Sequence, residues 1–127
     1  MNPLSPAVLA AVAAGGAAGS LCRYLVSVAT VAAGFAGPFG TLAVNVVGGV
    51  AIGVLAELFA REMLHPLLRP LLITGVLGGF TTFSAFSLEA VGLWRQDALL
   101  AALYIVASVA LSLKGCIAGL WLARTLA

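Results

Sequence analysis

The sequence predicts an all-α membrane protein built from four transmembrane helices, and two observations support this. The chain of 127 residues is 63% hydrophobic and only 8% charged, whereas a soluble domain is about 25% charged. It also contains four apolar stretches, each long enough to cross a hydrocarbon core about 30 Å thick, which takes roughly 20 helical residues. The net charge of +2 is too small to indicate nucleic-acid binding.

We expect a single domain over residues 1–127, with helices at about residues 4–33, 41–60, 67–94 and 98–122. The first apolar run has no Lys or Arg before it, so it is interpreted as a retained helix and not as a cleaved signal peptide. Three short connections separate the helices: a Gly/Pro turn, a polar segment ending at Arg69, and Arg95-Gln96-Asp97.

Each predicted helix contains one pair of glycines four residues apart, where chance would give about two pairs in the whole chain. The pairs are Gly15/Gly19, Gly49/Gly53, Gly75/Gly79 and Gly115/Gly119. Glycine at this spacing allows two helix backbones to approach closely, so the pattern favours a tightly packed bundle. The alternative is the general richness of membrane helices in glycine.

The basic residues give little preference for one orientation in the membrane. With four spans, both termini share a side with the second connection, and that side carries Arg61, Arg69 and Arg124 against Arg95 on the other. A chain with so weak a bias could insert both ways and pair as an inverted dimer. We expect a dimer in either case, because a chain of this size can hardly enclose a pathway alone.

The third span contains an unusual polar string, Gly78–Ser87, which predicts a helix broken in mid-membrane around Gly78-Gly79. Adjacent glycines followed by two threonines weaken a helix. Unpaired backbone at membrane depth is tolerated only where it is buried in protein or lines a hydrated cavity. Freed carbonyls can bind a cation, and a half-helix N-terminus favours an anion. Phe83 and Phe86 share a face and could turn positive ring edges to an anion, or be ordinary core or lipid-facing rings.

Other polar side chains inside the spans are also candidate functional residues. Asn45 offers two donors, either as a contact between helices or as a ligand. Tyr104, Ser108 and Ser112 are spaced by four, so they form one stripe of hydroxyls on the fourth helix. A dehydrated small anion needs such donors. The alternative is that each serine bonds back to the carbonyl four residues earlier.

Two bases and one acid lie inside the apolar spans and away from their ends. Arg23 either extends to the membrane surface or attracts anions to a vestibule. Lys114 points about 200° away from the hydroxyl stripe, so we expect it to extend to the surface or to pair with another helix. Glu89 could pair with either base.

These residues resemble the signature of the Fluc (CrcB) fluoride channels over essentially the whole chain. The matching segments are Gly78–Ser87 (GGFTTFSAFS), Gly15–Arg23 (GGAAGSLCR), Gly40–Gly49 (GTLAVNVVGG) and the hydroxyl stripe. The resemblance implies an antiparallel, dual-topology homodimer in the cell inner (plasma) membrane. It implies passive, fluoride-selective export that lowers cytoplasmic fluoride, with no enzymatic activity and no catalytic cofactor.

The resemblance also implies roles for individual residues. Phe83 and Phe86 would be the pore phenylalanines, and Asn45 would donate to fluoride near them. Thr82, Ser84, Tyr104, Ser108 and Ser112 would supply the polar track. The carbonyls of Gly78 and Thr81 would hold a structural sodium ion at the dimer interface. Arg23 would be the family's basic residue of the first helix and Glu89 its acid after the phenylalanines. Lys114 has no counterpart in this pattern, and Cys116 stands where relatives can carry a hydroxyl.

Two other functions compete. A small four-helix, dual-topology efflux transporter needs an embedded acid in the first helix to couple export to protons, and the first span has Arg23 but no acid. An enzyme needs a nucleophile beside a base. A single histidine, His65 in a connecting segment, and scattered acids offer no such arrangement.

Overall fold

The computed structural model describes residues 2–126 and contains four long apolar helices, as the sequence predicts. We label the elements α1 (Pro6–Ala32), α2 (Gly37–Ala60), π1 (Pro70–Leu77), α3 (Gly78–Phe80), α4 (Phe83–Trp94) and α5 (Ala98–Leu126). Elements π1, α3 and α4 together form the third span, Pro70–Trp94. Each of the four spans is long and apolar enough to cross a membrane.

Some helix ends differ from the expected positions. Helix α2 starts at Gly37 because Pro38 fits the first helical turn, where its missing N–H is not needed. Helix α5 starts at Ala98, as expected, because the Asp97 carboxylate accepts hydrogen bonds from the main-chain N–H groups of Leu99 (2.9 Å) and Leu100 (3.1 Å). It ends at Leu126 and is therefore longer than the expected 98–122. Before the third span, the segment 61–67 forms turns and irregular backbone, the helical residues begin at Leu68, and π1 begins at Pro70.

The first and third spans cross at glycines. A Cβ atom added to Gly15 would overlap the Leu71 carbonyl oxygen, and one added to Gly19 would overlap that of Val76. The later glycine of α1 meets the later residue of the third span, so α1 and π1 run in the same direction. Backbone therefore packs directly on backbone at this crossing.

The second and fourth spans pack in the same way. A Cβ atom on Gly53 would overlap the Cys116 carbonyl oxygen, and one on Gly119 would overlap that of Val50. All four glycine pairs noted in the sequence thus lie at close helix crossings, which confirms the interpretation as a tight bundle.

Gly19→Ala is expected to lower the free energy of unfolding by about 2 kcal/mol or more, because the new methyl group meets the main chain of π1. Gly16→Ala is the matched control. A Cβ atom on Gly16 meets no other atom within 4 Å, so this change should raise stability by up to about 1 kcal/mol through helix propensity. Unfolding in detergent measures both. Equal losses in the two variants would contradict the close crossing.

The buried core is small and lies beside the interruption of the third span. Phe86, Ala90 and Tyr104 form its centre, with Leu42 and Leu93 packed against them. Many large apolar side chains elsewhere are exposed on the described chain. Such a surface suits lipid or a partner protein and not water.

One charged cluster ties the ends of α2 and α5 together. Glu57 accepts hydrogen bonds from Arg61 Nε (3.0 Å) and from Arg124 Nε (2.9 Å). The second pair joins residues 67 positions apart, and spacing along the chain gave no signal for it. Glu57 therefore stabilises the parallel packing of α2 and α5.

Candidate functional site

The third span is interrupted at Thr81 and Thr82, where the backbone is extended. Thr81 has φ −84° and ψ 157°, and Thr82 has φ −153° and ψ 124°. The break expected around Gly78-Gly79 is thus displaced toward the C-terminus, since Gly78 is helical with φ −62° and ψ −35°. The prediction of a bent third helix is confirmed, and its position is corrected.

Packing explains why the glycines stay helical. A Cβ atom on Gly79 would lie 2.5 Å from Gly16 O and 2.9 Å from Ser20 N, so Gly79 serves the close approach of α1. The interruption is instead made by Thr82, which caps α4: its Oγ1 accepts a hydrogen bond from Ala85 N at 3.2 Å.

Asn45 of α2 holds the extended backbone in place. Its Oδ1 accepts from Thr82 N at 2.8 Å, and its Nδ2 donates to Thr82 O at 3.0 Å. Of the two alternatives for this side chain, the structure shows the contact between segments. An amide nitrogen carries two protons, so one N–H of Asn45 remains for another acceptor.

Because of these hydrogen bonds, two main-chain N–H groups at the break do not donate to the carbonyls that they would bind in a continuous helix. In a continuous helix Thr82 N would bond Gly78 O, but it bonds Asn45. Likewise Ala85 N would bond Thr81 O, but it bonds the Thr82 hydroxyl. The carbonyls of Gly78 and Thr81, which the sequence analysis proposed as sodium ligands, therefore lack the main-chain donors of a continuous helix.

A groove of about 450 Å³ runs alongside the interruption, between α2, the third span and α5. It brings together eight of the predicted site residues: Asn45, Gly78, Thr81, Thr82, Phe83, Phe86, Ser108 and Ser112. Apolar side chains such as Ile52, Ile73 and Val109 complete its walls. We call this feature the break groove.

Two phenylalanine rings form one wall of the break groove. The ring centroids of Phe83 and Phe86 are 5.3 Å apart at an interplanar angle of 47°. Phe86 is only 8% exposed and stacks on Tyr104 at 5.4 Å, whereas Phe83 is 76% exposed. Phe86 is thus fixed by packing, while Phe83 lies at the open side.

The hydroxyl stripe of α5 divides into two parts. Ser108 and Ser112 line the break groove, but Tyr104 does not. Ser108 Oγ is buried and has no hydrogen-bond partner among residues 2–126, so it does not bond back to the carbonyl four residues earlier. An unpaired buried hydroxyl is costly, and a ligand in the groove would satisfy it.

Tyr104 belongs to a separate cluster around Glu89. Its hydroxyl donates to Glu89 Oε2 at 2.7 Å, and Thr41 Oγ1 donates to Glu89 Oε1 at 2.8 Å. Glu89 does not form the pair with Arg23 or Lys114 that the sequence allowed: across the described chain no basic group lies within 4.0 Å of this carboxylate. Two hydroxyls satisfy it instead. Thr41 was missed because only the fold brings it there.

The remaining predicted residues lie outside the break groove. Ser84 is exposed, with its Oγ 3.2 Å from Thr82 Oγ1. Arg23 reaches the third span, where its Nε donates to Gly79 O at 2.9 Å. Lys114 is exposed on α5, away from Ser112.

Comparison with known proteins agrees with the resemblance found in the sequence. A family model described as CrcB-like protein, Camphor Resistance (CrcB), matches residues 10–120. The fluoride-specific ion channel FluC of Agrobacterium fabrum is 54% identical over 121 residues, which cover 93% of this chain and 97% of that protein. FluC of Rhizobium leguminosarum bv. trifolii is 57% identical over 119 residues, covering 91% and 95%. FluC of Paracoccus denitrificans is 50% identical over 119 residues, covering 91% and 93%. Since the family model and these relatives match nearly the entire chain, this protein belongs to the CrcB family.

Proposed function

We propose that this chain is a fluoride-selective ion channel, and not an enzyme, that exports fluoride passively across the cell inner membrane and so lowers cytoplasmic fluoride. Relatives named as fluoride-specific channels match over 90% of its length. The observation that carries the proposal is the break groove, which is lined by Phe83, Phe86 and the buried Ser108 hydroxyl, a group without a hydrogen-bond partner among residues 2–126.

The chemistry of the break groove suits a small, strongly hydrated anion. Fluoride gives up its water only if donors replace it, and it must not be held so tightly that it cannot leave. The groove offers neutral donors from Asn45, Thr82, Ser108 and Ser112, and among residues 2–126 no Lys or Arg lines it. It therefore solvates an anion without a deep electrostatic trap.

The ion would contact the two rings and Asn45 on its path. The edge of a phenyl ring carries positive quadrupole density, so Phe83 and Phe86 can face fluoride edge-on. Asn45 uses one N–H to hold Thr82 O and would give its other N–H to the ion. Thr82 and Ser84 hydroxyls, 3.2 Å apart, would continue the track beyond the groove.

The cluster around Glu89 would lie beyond the rings. Tyr104 stacks on Phe86 and donates to Glu89, so the carboxylate is engaged by hydroxyls next to the path. The Glu89 carboxylate would then influence the entry and exit of ions more than the neutral groove itself.

We further propose that two copies assemble as an antiparallel, dual-topology dimer. The break groove is open along the side where Phe83 is 76% exposed, so one chain does not enclose the path. The basic residues give only a weak preference for one orientation in the membrane, because Arg61, Arg69 and Arg124 lie on one side and Arg95 on the other. A second, inverted copy would close the open side.

A structural sodium ion fits the residues at the interruption. Sodium prefers oxygen ligands, and unwound main-chain carbonyls coordinate it in broken membrane helices. The donors that would occupy the carbonyls of Gly78 and Thr81 are diverted to Asn45 and Thr82. These carbonyls would hold the ion at the dimer interface, where it would stabilise the assembly.

Fluoride efflux from liposomes tests the proposed function. Purified protein in liposomes loaded with potassium fluoride should release fluoride to an external fluoride electrode when valinomycin removes the membrane potential, with no pH gradient imposed. A proton-coupled exchanger would move protons as fluoride leaves and would build up a pH gradient, whereas a channel would not. Efflux equal to that of protein-free liposomes would reject the channel.

A further inference from the structure

Arg23 makes one contact that bears directly on the interrupted helix. It lies half-buried in α1, and its Nε donates to Gly79 O, 56 residues later, at 2.9 Å. Among residues 2–126 no carboxylate lies within 4.0 Å of this guanidinium. Its partner is therefore a main-chain carbonyl of the third span and not an acid.

Gly79 occupies a critical place in the chain. A helix that ends leaves its last carbonyls without main-chain donors. At this end, the donors of Gly78 O and Thr81 O are diverted to Asn45 and Thr82. Gly79 O lies between these two carbonyls and receives the Arg23 guanidinium instead. A charge-assisted hydrogen bond to a carbonyl is about twice as strong as a neutral one, so it orients that peptide firmly.

We propose that Arg23 is a positioning residue of the interrupted helix: by holding Gly79 O, it orients the carbonyls of Gly78 and Thr81 and the start of the break groove. Asn45 holds the far side of the interruption and Arg23 the near side. This role differs from that of a vestibule charge, which acts on ions at a distance. The proposal for Arg23 rests on the proposed channel function only in the flux measurement described below.

The two roles respond differently to substitution and to salt. A charge acting at a distance is retained by lysine, and it weakens as the Debye length falls from about 10 Å at 0.1 M salt to about 3 Å at 1 M. A direct hydrogen bond from the planar guanidinium is not reproduced by the flexible lysine ammonium, and salt screens it little.

The experiment compares Arg23→Lys and Arg23→Gln with Arg95→Gln, which removes a charge from the exposed connection before α5. Hydrogen exchange of the peptide covering residues 78–86, followed by mass spectrometry, reports on the interruption without any ion flux. We expect both Arg23 variants to exchange roughly tenfold faster there, the factor for losing a charge-assisted hydrogen bond. Arg95→Gln should match the unaltered chain.

Fluoride efflux at low and high salt supplies the second measurement. Both Arg23 variants should lose about tenfold or more of the flux at either salt concentration. Unchanged exchange in both Arg23 variants would overturn the positioning role, as would full flux in Arg23→Lys. If the unaltered chain carries no fluoride, the proposed function fails, whereas the exchange measurement still decides the role of Arg23. Should Arg23→Gln not fold, Arg23→Lys carries both measurements.

Discussion

Asn45→Ala is expected to abolish measurable fluoride efflux and to lower the free energy of unfolding by about 2 to 4 kcal/mol. Both the N–H and the C=O of Thr82 lose their partner, and each half-buried main-chain group left unpaired costs about 1 to 3 kcal/mol. Without this contact the extended backbone is free to rejoin the helix. Efflux from liposomes and unfolding in detergent measure the two effects.

Two further substitutions separate the roles of Asn45. Asn45→Asp keeps the acceptor for Thr82 N but sets a carboxylate oxygen against Thr82 O, so it should also lose stability. It should still stop efflux, because a carboxylate in the break groove repels an anion. Val47→Ala, an exposed position on α2, is the matched control and should keep its flux. Asn45→Ala with undiminished flux would remove Asn45 from the pathway.

Phe86→Ile should reduce fluoride efflux to near background and lower the free energy of unfolding by about 1 to 2 kcal/mol. The ring is 8% exposed and packs against both Phe83 and Tyr104, so isoleucine removes a ring edge from the groove and leaves a poorly filled site. Gel filtration with a dimer standard should show an unchanged assembly, because a side chain only 8% exposed contributes little to a surface where two copies meet.

Phe83→Ile distinguishes the pathway from packing. Phe83 is 76% exposed in the single chain, so its loss should change the stability of that chain by less than about 0.5 kcal/mol. If its ring faces fluoride, efflux falls by at least about tenfold all the same. Phe35→Ile, which changes an exposed ring in the connection between α1 and α2, is the control. Flux equal to that of Phe35→Ile would exclude Phe83 from the path.

The four helices were predictable because length and apolar composition alone decide whether a segment can cross a membrane. The interruption was predictable in kind but not in place. Two glycines side by side are weak helix formers, yet the close approach of α1 at Gly79 keeps them helical. The deciding contact, from Asn45 to Thr82, joins residues 37 positions apart.

The partners of charged groups were the least predictable part. The sequence allowed Glu89 to pair with a base, but the fold places it between the hydroxyls of Thr41 and Tyr104. Arg23 was expected at a vestibule or the membrane surface, and its Nε reaches a main-chain carbonyl. In each case the partner comes from another span, where spacing along one helix carries no information.

The measurement that tests the central claim most directly is efflux from liposomes loaded with equal concentrations of fluoride and chloride, recorded with one electrode for each anion. The account holds that the neutral donors and ring edges of the break groove solvate a small anion. It predicts that fluoride leaves while chloride stays at the level of protein-free liposomes. Chloride leaving in parallel with fluoride would contradict it.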